Sequence, residues 1–370
     1  MALSKRITKL RKVLQTKKLA GVLLQVTECG QSLQPNNQNV LYLAGFGGST
    51  AVLLITATKT YIICDARYWS RAALESPDFQ LVKLNRGERQ TNGINAAFKL
   101  AKITKTSSIA FEAAKITYQT AEIWKKELNA KLVPTLHLVE RLRQYKEASE
   151  IAQLRHACTQ TDKVYKAIAK FVKAGMTELE VGYEIDMQLR AFGATDNSFS
   201  TIVGSGPNSA IPHHATGNRK LKAGEPVVMD FGGVYPGGYC SDITRTIFVP
   251  GKEPTAKMKE VYQIVLAANK AAKAALKPGL MWSEYDKVAR DYIDKKGYGK
   301  YFTHGLGHSV GLEVHDPFDY GHDALNEGTV ITDEPGIYID GVGGVRIEDD
   351  LVVTKDGAVR LTAAPYWKFN

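Results

Sequence analysis

The sequence is poor in cysteine, in long apolar runs and, near its start, in acid. Four cysteines, Cys29, Cys64, Cys158 and Cys240, are scattered over 370 residues without a CxxC pair. That excludes a disulfide framework or a zinc ribbon and points to a reducing, cytoplasmic setting. No apolar run approaches the roughly 18 residues of a membrane span. A run such as Ala51 to Ile55 reads as a buried strand, so no transmembrane segment is expected. Repeats and low-complexity tracts are missing too. With 44% hydrophobic and 23% charged residues, disordered, collagenous and coiled-coil classes are excluded. The length exceeds the roughly 100–200 residues of one domain, so two are expected.

Acid is absent from the first 27 residues, which hold seven Lys or Arg. A transit peptide would share that bias. Here Leu3, Ile7, Leu10 and Leu14 recur at helical spacing and run into the strand-like Gly21-Val-Leu-Leu-Gln-Val26, which reads as the first helix and strand of a domain. Residues 1–140 carry 20 basic and 9 acidic side chains, +11, and the remainder 28 and 29, −1, which together make the net +10. No aromatic-interleaved basic stretch or zinc-finger spacing accompanies the surplus, so it reads as a solvated face and not a nucleic-acid site.

Segments 40–45, 51–56, 60–65 and 109–112 read as strands and 91–104 and 117–129 as helices, an alternation that predicts a small α/β domain with a mixed sheet over 1–138. A second domain over 143–370 opens with amphipathic helices from Glu147 and from Thr177 to Phe192. Short β runs come next at 203–206, 227–231, 240–249, 330–338 and 346–353, interrupted by a helix pair at 254–276 and 282–296. The pattern predicts an α+β domain in which helices pack on a curved, mostly antiparallel sheet.

Six of the eight histidines, 213, 214, 304, 308, 315 and 322, fall in two segments of this second domain. Asp230 ends Val-Val-Met-Asp-Phe. Asp242 lies in Tyr-Cys-Ser-Asp-Ile-Thr-Arg-Thr, beyond the turn-rich Gly-Gly-Val-Tyr-Pro-Gly-Gly, and a hairpin there brings both carboxylates to one wall. Buried carboxylates need a compensating cation. His304-Gly-Leu-Gly-His308-Ser-Val-Gly-Leu-Glu-Val-His315 adds imidazoles, and Glu334-Pro-Gly-Ile-Tyr and Arg346-Ile-Glu348 add carboxylates. Four carboxylates and one histidine form an oxygen-rich set of charge −4, which matches two divalent cations.

In that order and within those motifs, Asp230, Asp242, His308, Glu334 and Glu348 resemble the five ligands of the dinuclear pita-bread metallopeptidases, which include aminopeptidase P, prolidase and methionine aminopeptidase. The segments Asn39-Val-Leu-Tyr-Leu-Ala-Gly-Phe-Gly-Gly-Ser49 and Asp65-Ala-Arg-Tyr-Trp69 resemble the creatinase-type N-terminal domain of the Xaa-Pro-cleaving members. The resemblance implies that Asp230 chelates one metal, that Asp242 and Glu348 bridge, and that His308 and Glu334 complete the second. It also implies that Glu334 relays a proton. His213, rather than its neighbour His214, matches the histidine that contacts substrate. His315 matches one that steadies the tetrahedral intermediate, and His304 and Arg346 match positions lining the leaving-proline side.

The activity that the resemblance implies is hydrolysis of Xaa-Pro bonds at a peptide N-terminus by a metal-bridging hydroxide, as an Xaa-Pro aminopeptidase or dipeptidase. It further implies manganese, with cobalt or zinc as alternatives, and a homodimer. The implied partners are short peptides with proline second, with no nucleic acid and no membrane. A methionine aminopeptidase-like activity and a non-enzymatic binding module stand as alternatives. Two departures are visible. The paired aspartates are twelve residues apart where the family commonly has eleven, an excess that a bulge or a longer turn absorbs. Asp333 is acidic where many bacterial relatives are apolar, and it either perturbs Glu334 or points away on alternating strand geometry.

Overall fold

The computed structural model describes residues 2–27 and 37–369, and the chain divides into two compact units between Arg143 and Gln144. Cys29 lies outside the described residues. Among the described residues no helix is long and apolar enough to cross a membrane.

The first unit is a six-stranded mixed sheet. Its order is Gln80–Leu84, Thr60–Asp65, Ala51–Thr56, Gly21–Val26, Ser108–Glu112 and Lys131–Thr135. The two central strands are buried along their whole length, as their largely apolar sequences favour. Leu23, Val52, Leu54 and Ile63 pack against Ile94, Phe98 and Trp124 of the helices Gln90–Leu100 and Tyr118–Glu127. Leu10 and Leu14 of the helix Ala2–Thr16 are buried as well.

One expected strand is a helix. The run at 40–45 lies in the helix Gln38–Ala44, where the Asn37 side chain accepts from the Asn39 N–H and Gly45, at φ 72°, closes the last turn. A short apolar run fits either element, and the caps decide between them. The helix Trp69–Glu75 and the edge strand Gln80–Leu84 are additions to the expected elements. Each is too exposed to show an apolar period.

In the second unit every strand pairing is antiparallel. The strands Ile202–Ser205, Pro226–Phe231 and Ile243–Phe248 form one sheet. Val330–Asp333, Asp349–Thr354 and Gly357–Arg360 form another, beside the ribbon of Gly336–Ile339 and Gly343–Arg346. The helices Ala148–Phe171 and Glu178–Ala191 bury Val164, Ile168, Val181 and Ile185 against Val227, Met229, Phe231 and Ile247. The pair Ala256–Ala275 and Trp282–Lys295 buries Val261, Val265, Tyr285 and Ala289 against Ile331, Ile337, Val345 and Leu351. Each fully buried aliphatic side chain in these layers contributes roughly 1.5–3 kcal/mol.

The expected single runs at 330–338 and 346–353 are each two strands, interrupted at Glu334-Pro335 and at Ile347-Glu348. Pro335 has no N–H to give a ladder. The backbone N–H groups of Glu334 and Glu348 turn instead to Leu306 O and Thr244 O.

The first unit also buries a polar knot. Glu112 accepts from the side-chain amides of Asn37 and Asn39, Asn39 donates to Glu140, and Arg143 donates to Asn39 Oδ1. Burial first, and Glu140 second, push the Glu112 carboxyl from its ordinary 4.5 up to about 7. A folded-state value above the unfolded one gives stability that is complete below about 4.5 and lost as pH rises through about 7. A shift of that size is worth about 3 kcal/mol, at about 1.4 kcal/mol per pH unit. Thermal melts of the full chain will therefore show stability declining from pH 5 to pH 8, and Glu112→Gln will make that decline shallower. An unchanged slope in the variant would assign the pH dependence elsewhere.

Candidate active site

Alternation along the sheet Ile202–Ser205, Pro226–Phe231 and Ile243–Phe248 separates its two faces. Val227, Met229, Phe231, Ile243 and Ile247 pack on the helices, so Asp230 and Thr244 point to the opposite face. Asp230 lies across from Thr244, and Asp242 precedes Thr244 by two residues and shares its face. The same register continues to the Val234–Cys240 bridge, so the extra residue between the aspartates is taken up in the turn 235–239 and not in a bulge. Gly232 makes the close approach possible, since a Cβ there would lie 1.9 Å from Ser241 O, next to Asp242.

Asp230, Asp242, His308, Glu334 and Glu348 all line one cavity of about 650 Å³, together with His213, His214, His304, His315 and Arg346. Ligand atoms of Asp242, His308 and Glu348 lie within 4.8 Å of one another. His308 Nε2 is 3.4 Å from Glu334 Oε1 and 3.5 Å from Asp242 Oδ2. The His308 ring stacks at a tilt on His315, with centroids 4.1 Å apart. Two threonines, each two residues from a glutamate or aspartate of the cavity, fix these groups. Thr244 Oγ1 donates to Glu348 Oε2 at 2.7 Å and accepts from Arg346 Nε at 3.0 Å. Thr332 Oγ1 donates to Glu334 Oε1 at 3.1 Å and accepts from the His308 N–H at 2.9 Å.

Arg346 is the local cation. Its guanidinium donates to Asp230 Oδ2 at 2.6 Å and to Tyr338 Oη at 2.9 Å. Burial works against its charge, and Tyr338, Asp230 and Glu334 more than restore it. One guanidinium does not balance four carboxylates. Burial, then Glu348 and Asp230, hold the Asp242 carboxyl well above its usual range, and burial, then Glu334 and Asp230, do the same to Glu348. Burial pushes Glu334 up to about 8. His308 is pressed down to about 4 by burial and by His315, so its ring is neutral and its contacts with the carboxylates are not ion pairs. Asp230 Oδ1 and Asp242 Oδ1 are buried without a hydrogen-bond partner.

Carboxylates forced toward their protonated forms, two buried oxygens without a donor and a neutral imidazole make a donor set that fits divalent cations. The five side chains could hold them. Cys240 and Cys158 are buried elsewhere and contribute no soft ligand to the cavity, which suits hard or borderline ions.

The two candidate histidines at 213 and 214 have different surroundings. His214 Nε2 is 2.8 Å from Glu178 Oε2, which also accepts from Asn208, so this ring is tied into the wall. His213 faces His304 and His315 closely enough to depress both electrostatically. His304 is lowered to about 4, chiefly by burial, and its Nε2 lies 2.8 Å from Tyr338 Oη. Asp333 is fully buried and is not part of the cavity wall; burial, then Asp349, hold its carboxyl well above the usual range. Of the two readings of Asp333, the structure gives the one in which it points away.

Sequence reasoning missed Tyr338, Thr244, Thr332 and Asp350, which accepts from the Asp242 N–H at 3.2 Å. For the threonines the signal was present: in a strand, residues two apart share a face, so each hydroxyl was bound to flank its carboxylate. Tyr338 carries no comparable cue, because its partners come from distant segments.

Comparison with known proteins matches residues 152–355 to Metallopeptidase family M24 and residues 6–145 to the Creatinase/Prolidase N-terminal domain. The Xaa-Pro dipeptidase of Pyrococcus furiosus is 36% identical over 330 residues, 88% of this chain and 90% of that one. The structure of the Xaa-Pro dipeptidase from Bacillus anthracis superposes with a TM-score of 0.89 at 37% identity, covering 99% of both chains. That of X-Pro aminopeptidase from Thermotoga maritima MSB8 gives 0.86 at 31% identity, covering 97% of this chain and 98% of the other. By its matched domains, its relatives and its architecture, the chain belongs to metallopeptidase family M24.

Proposed function

We propose that this protein hydrolyses the bond before proline in Xaa-Pro dipeptides. The observation that carries the reading is the approach of Asp242, His308 and Glu348 within 4.8 Å of one another in a cavity that also takes in Asp230 and Glu334. Asp230 would serve one cation, Asp242 and Glu348 both, and His308 and Glu334 the other, with manganese as the ion. When bound, such a pair lowers the pKa of water and polarises the scissile carbonyl.

The remaining work falls to side chains of this chain. An Xaa-Pro bond is a tertiary amide without an N–H, so an enzyme that grips its substrate as a β-strand handles it poorly. A closed cavity holds the dipeptide by its ends and its ring instead. His213 contacts the substrate, and His304 and Arg346 line the proline side. The neutral His315 ring donates to the oxygen that becomes negative in the tetrahedral intermediate. In its carboxylate form Glu334, whose proton affinity burial raises, takes a proton from the attacking water and returns it to the proline nitrogen as the bond breaks.

The dipeptide preference rests on the relatives from Pyrococcus furiosus and Bacillus anthracis, which are named as dipeptidases. The match of residues 6–145 to the Creatinase/Prolidase N-terminal domain disfavours a methionine aminopeptidase-like activity, and five candidate ligands in one cavity disfavour a pure binding module. The free, buried thiols Cys64 and Cys158 suit a reducing cytoplasm. We infer a homodimer from the family resemblance.

Two measurements test this reading. Burial and neighbouring carboxylates push Asp242 and Glu348 toward their protonated forms, so manganese binding releases protons. Calorimetry in buffers of differing ionisation enthalpy will register about one proton or more per protein, and Asp242→Asn will weaken binding by roughly 10–100-fold. Buffer-independent heats would contradict the assignment. With manganese present, Ala-Pro will be cleaved about tenfold or more faster than Ala-Pro-Ala, and Asp242→Ala will lower kcat by about 10³-fold, or about 4 kcal/mol of barrier. Preference for the tripeptide would make the enzyme an aminopeptidase, and full activity of Asp242→Ala would remove the scheme.

A further inference from the structure

Lys146, just past the division between the units, has no role in the hydrolytic scheme, yet it is one of the most deeply buried charges in the protein. Its side chain is 1% exposed, as is that of its partner Asp316. A lysine is almost never buried so completely unless its charge is matched and its donors are used. An ammonium has three donors. Here they reach Asp316 Oδ2 at 3.0 Å, Ser309 Oγ at 3.1 Å and Gln144 O at 3.5 Å.

The identity of two of those partners gives the lysine a purpose. Ser309 directly follows His308, and Asp316 directly follows His315. The segment 309–316 is a closed loop: the Asp316 N–H donates to Ser309 O at 2.8 Å, and Glu313 N–H to Asp316 Oδ1 at 3.2 Å. Gly311 leaves room for the carboxylate, since a Cβ there would lie 2.6 Å from it. The loop is also tied to neighbouring strands by Cys240 N–H to Gly311 O at 2.8 Å and Val310 N–H to Val330 O at 3.1 Å. Among the described residues the His315 ring makes no hydrogen bond and rests on His308, so its aim is set by the backbone that Asp316 anchors.

We infer that Lys146 is a positioning residue: its ammonium joins the residues that follow His308 and His315 and thereby holds the two rings stacked toward one cavity. Lysine suits this better than arginine, because three separate acceptors surround one nitrogen and no planar pair is presented to a fork. The inference rests on the proposed roles of His308 and His315 in hydrolysis. It adds a residue that acts only through them.

The test combines a double-mutant cycle with a readout that needs no activity. K146M will lower kcat on Ala-Pro by about thirtyfold with KM changed by less than about threefold, while in an H315A background the same change will cost less than about threefold further. A lysine that merely stabilised the fold would cost the same factor in both backgrounds, and that additivity would overturn the inference. In metal-free protein labelled at histidine, the ring-to-ring NOE between His308 and His315 will be strong in the wild type and lost in K146M. Its persistence would equally overturn the inference. Should K146M not fold, S309A, which removes one acceptor and strands no charge, takes its place in both arms, with a loss of about fivefold expected in the wild-type background. If the wild type does not cleave Xaa-Pro substrates, the reading of function fails by itself, and the NOE arm still decides whether Lys146 aligns the two rings.

Discussion

Mutual repulsion of buried carboxylates is the constraint around which the second unit is organised. Two like charges 4 Å apart repel by about 4 kcal/mol at an effective dielectric constant of about 20, and Asp230, Asp242, Glu334 and Glu348 share one cavity with a single guanidinium. The protein holds them there by distributing the load over backbone and hydroxyl contacts. Thr244 and Thr332 each grip a carboxylate and a second site residue. Asp350 accepts from the Asp242 N–H, and the interrupted strands give the N–H groups of Glu334 and Glu348 partners outside the ladder. The residual cost appears as carboxyls raised toward their protonated forms. It is released when cations enter, which links metal affinity to the architecture instead of to the ligands alone.

The interruptions at Glu334-Pro335 and Ile347-Glu348 show how a β framework can aim side chains that a regular strand could not. In an unbroken strand, Arg346 and Glu348 would share one face and follow a fixed spacing. Here Arg346 ends the ribbon Gly343–Arg346, and Glu348 precedes the strand Asp349–Thr354. Both face the cavity, but they are carried by different sheets. Asp349 then turns the other way, to a fully buried ion pair with Arg245 at 2.7 Å. Asp333 does the same next to Glu334, so each glutamate of the site has a carboxyl neighbour directed into the protein behind it.

Much of this is legible in the amino-acid sequence, and the gaps obey a physical rule. The helix Ala148–Phe171 and the strand Pro226–Phe231 declare themselves because their apolar periods are long or unbroken. The hairpin carrying Asp230 and Asp242 is legible from its glycine-rich turn. The run at 40–45 misleads because a seven-residue buried helix and a buried strand have the same composition, and only Asn37 and Gly45 distinguish them. The strand breaks are hidden because burial continues through them: Pro335 and Ile347 are buried like the strand residues on either side. Tyr338, Lys146 and Asp316 are unreadable for a different reason. Their roles arise from contacts between segments far apart in the chain, which no local pattern encodes.

The cavity's histidines show why the site depends on exclusion of water as much as on charge. His304 and His308 are both pressed to about 4, chiefly by burial, so near neutrality they are present as neutral rings. A neutral imidazole can ligate a cation or donate a single directed hydrogen bond; a protonated one cannot ligate, and it donates only by adding charge to the cavity. Among the described residues that line the cavity, Arg346 supplies the one permanent positive charge, and it is already engaged with Asp230 and Tyr338. A substrate carboxylate entering on that side must therefore compete with Asp230 for the guanidinium. A cation held by Asp230 would compete with the guanidinium for that carboxylate, so Arg346 would couple the candidate metal ligands to any anion that meets it.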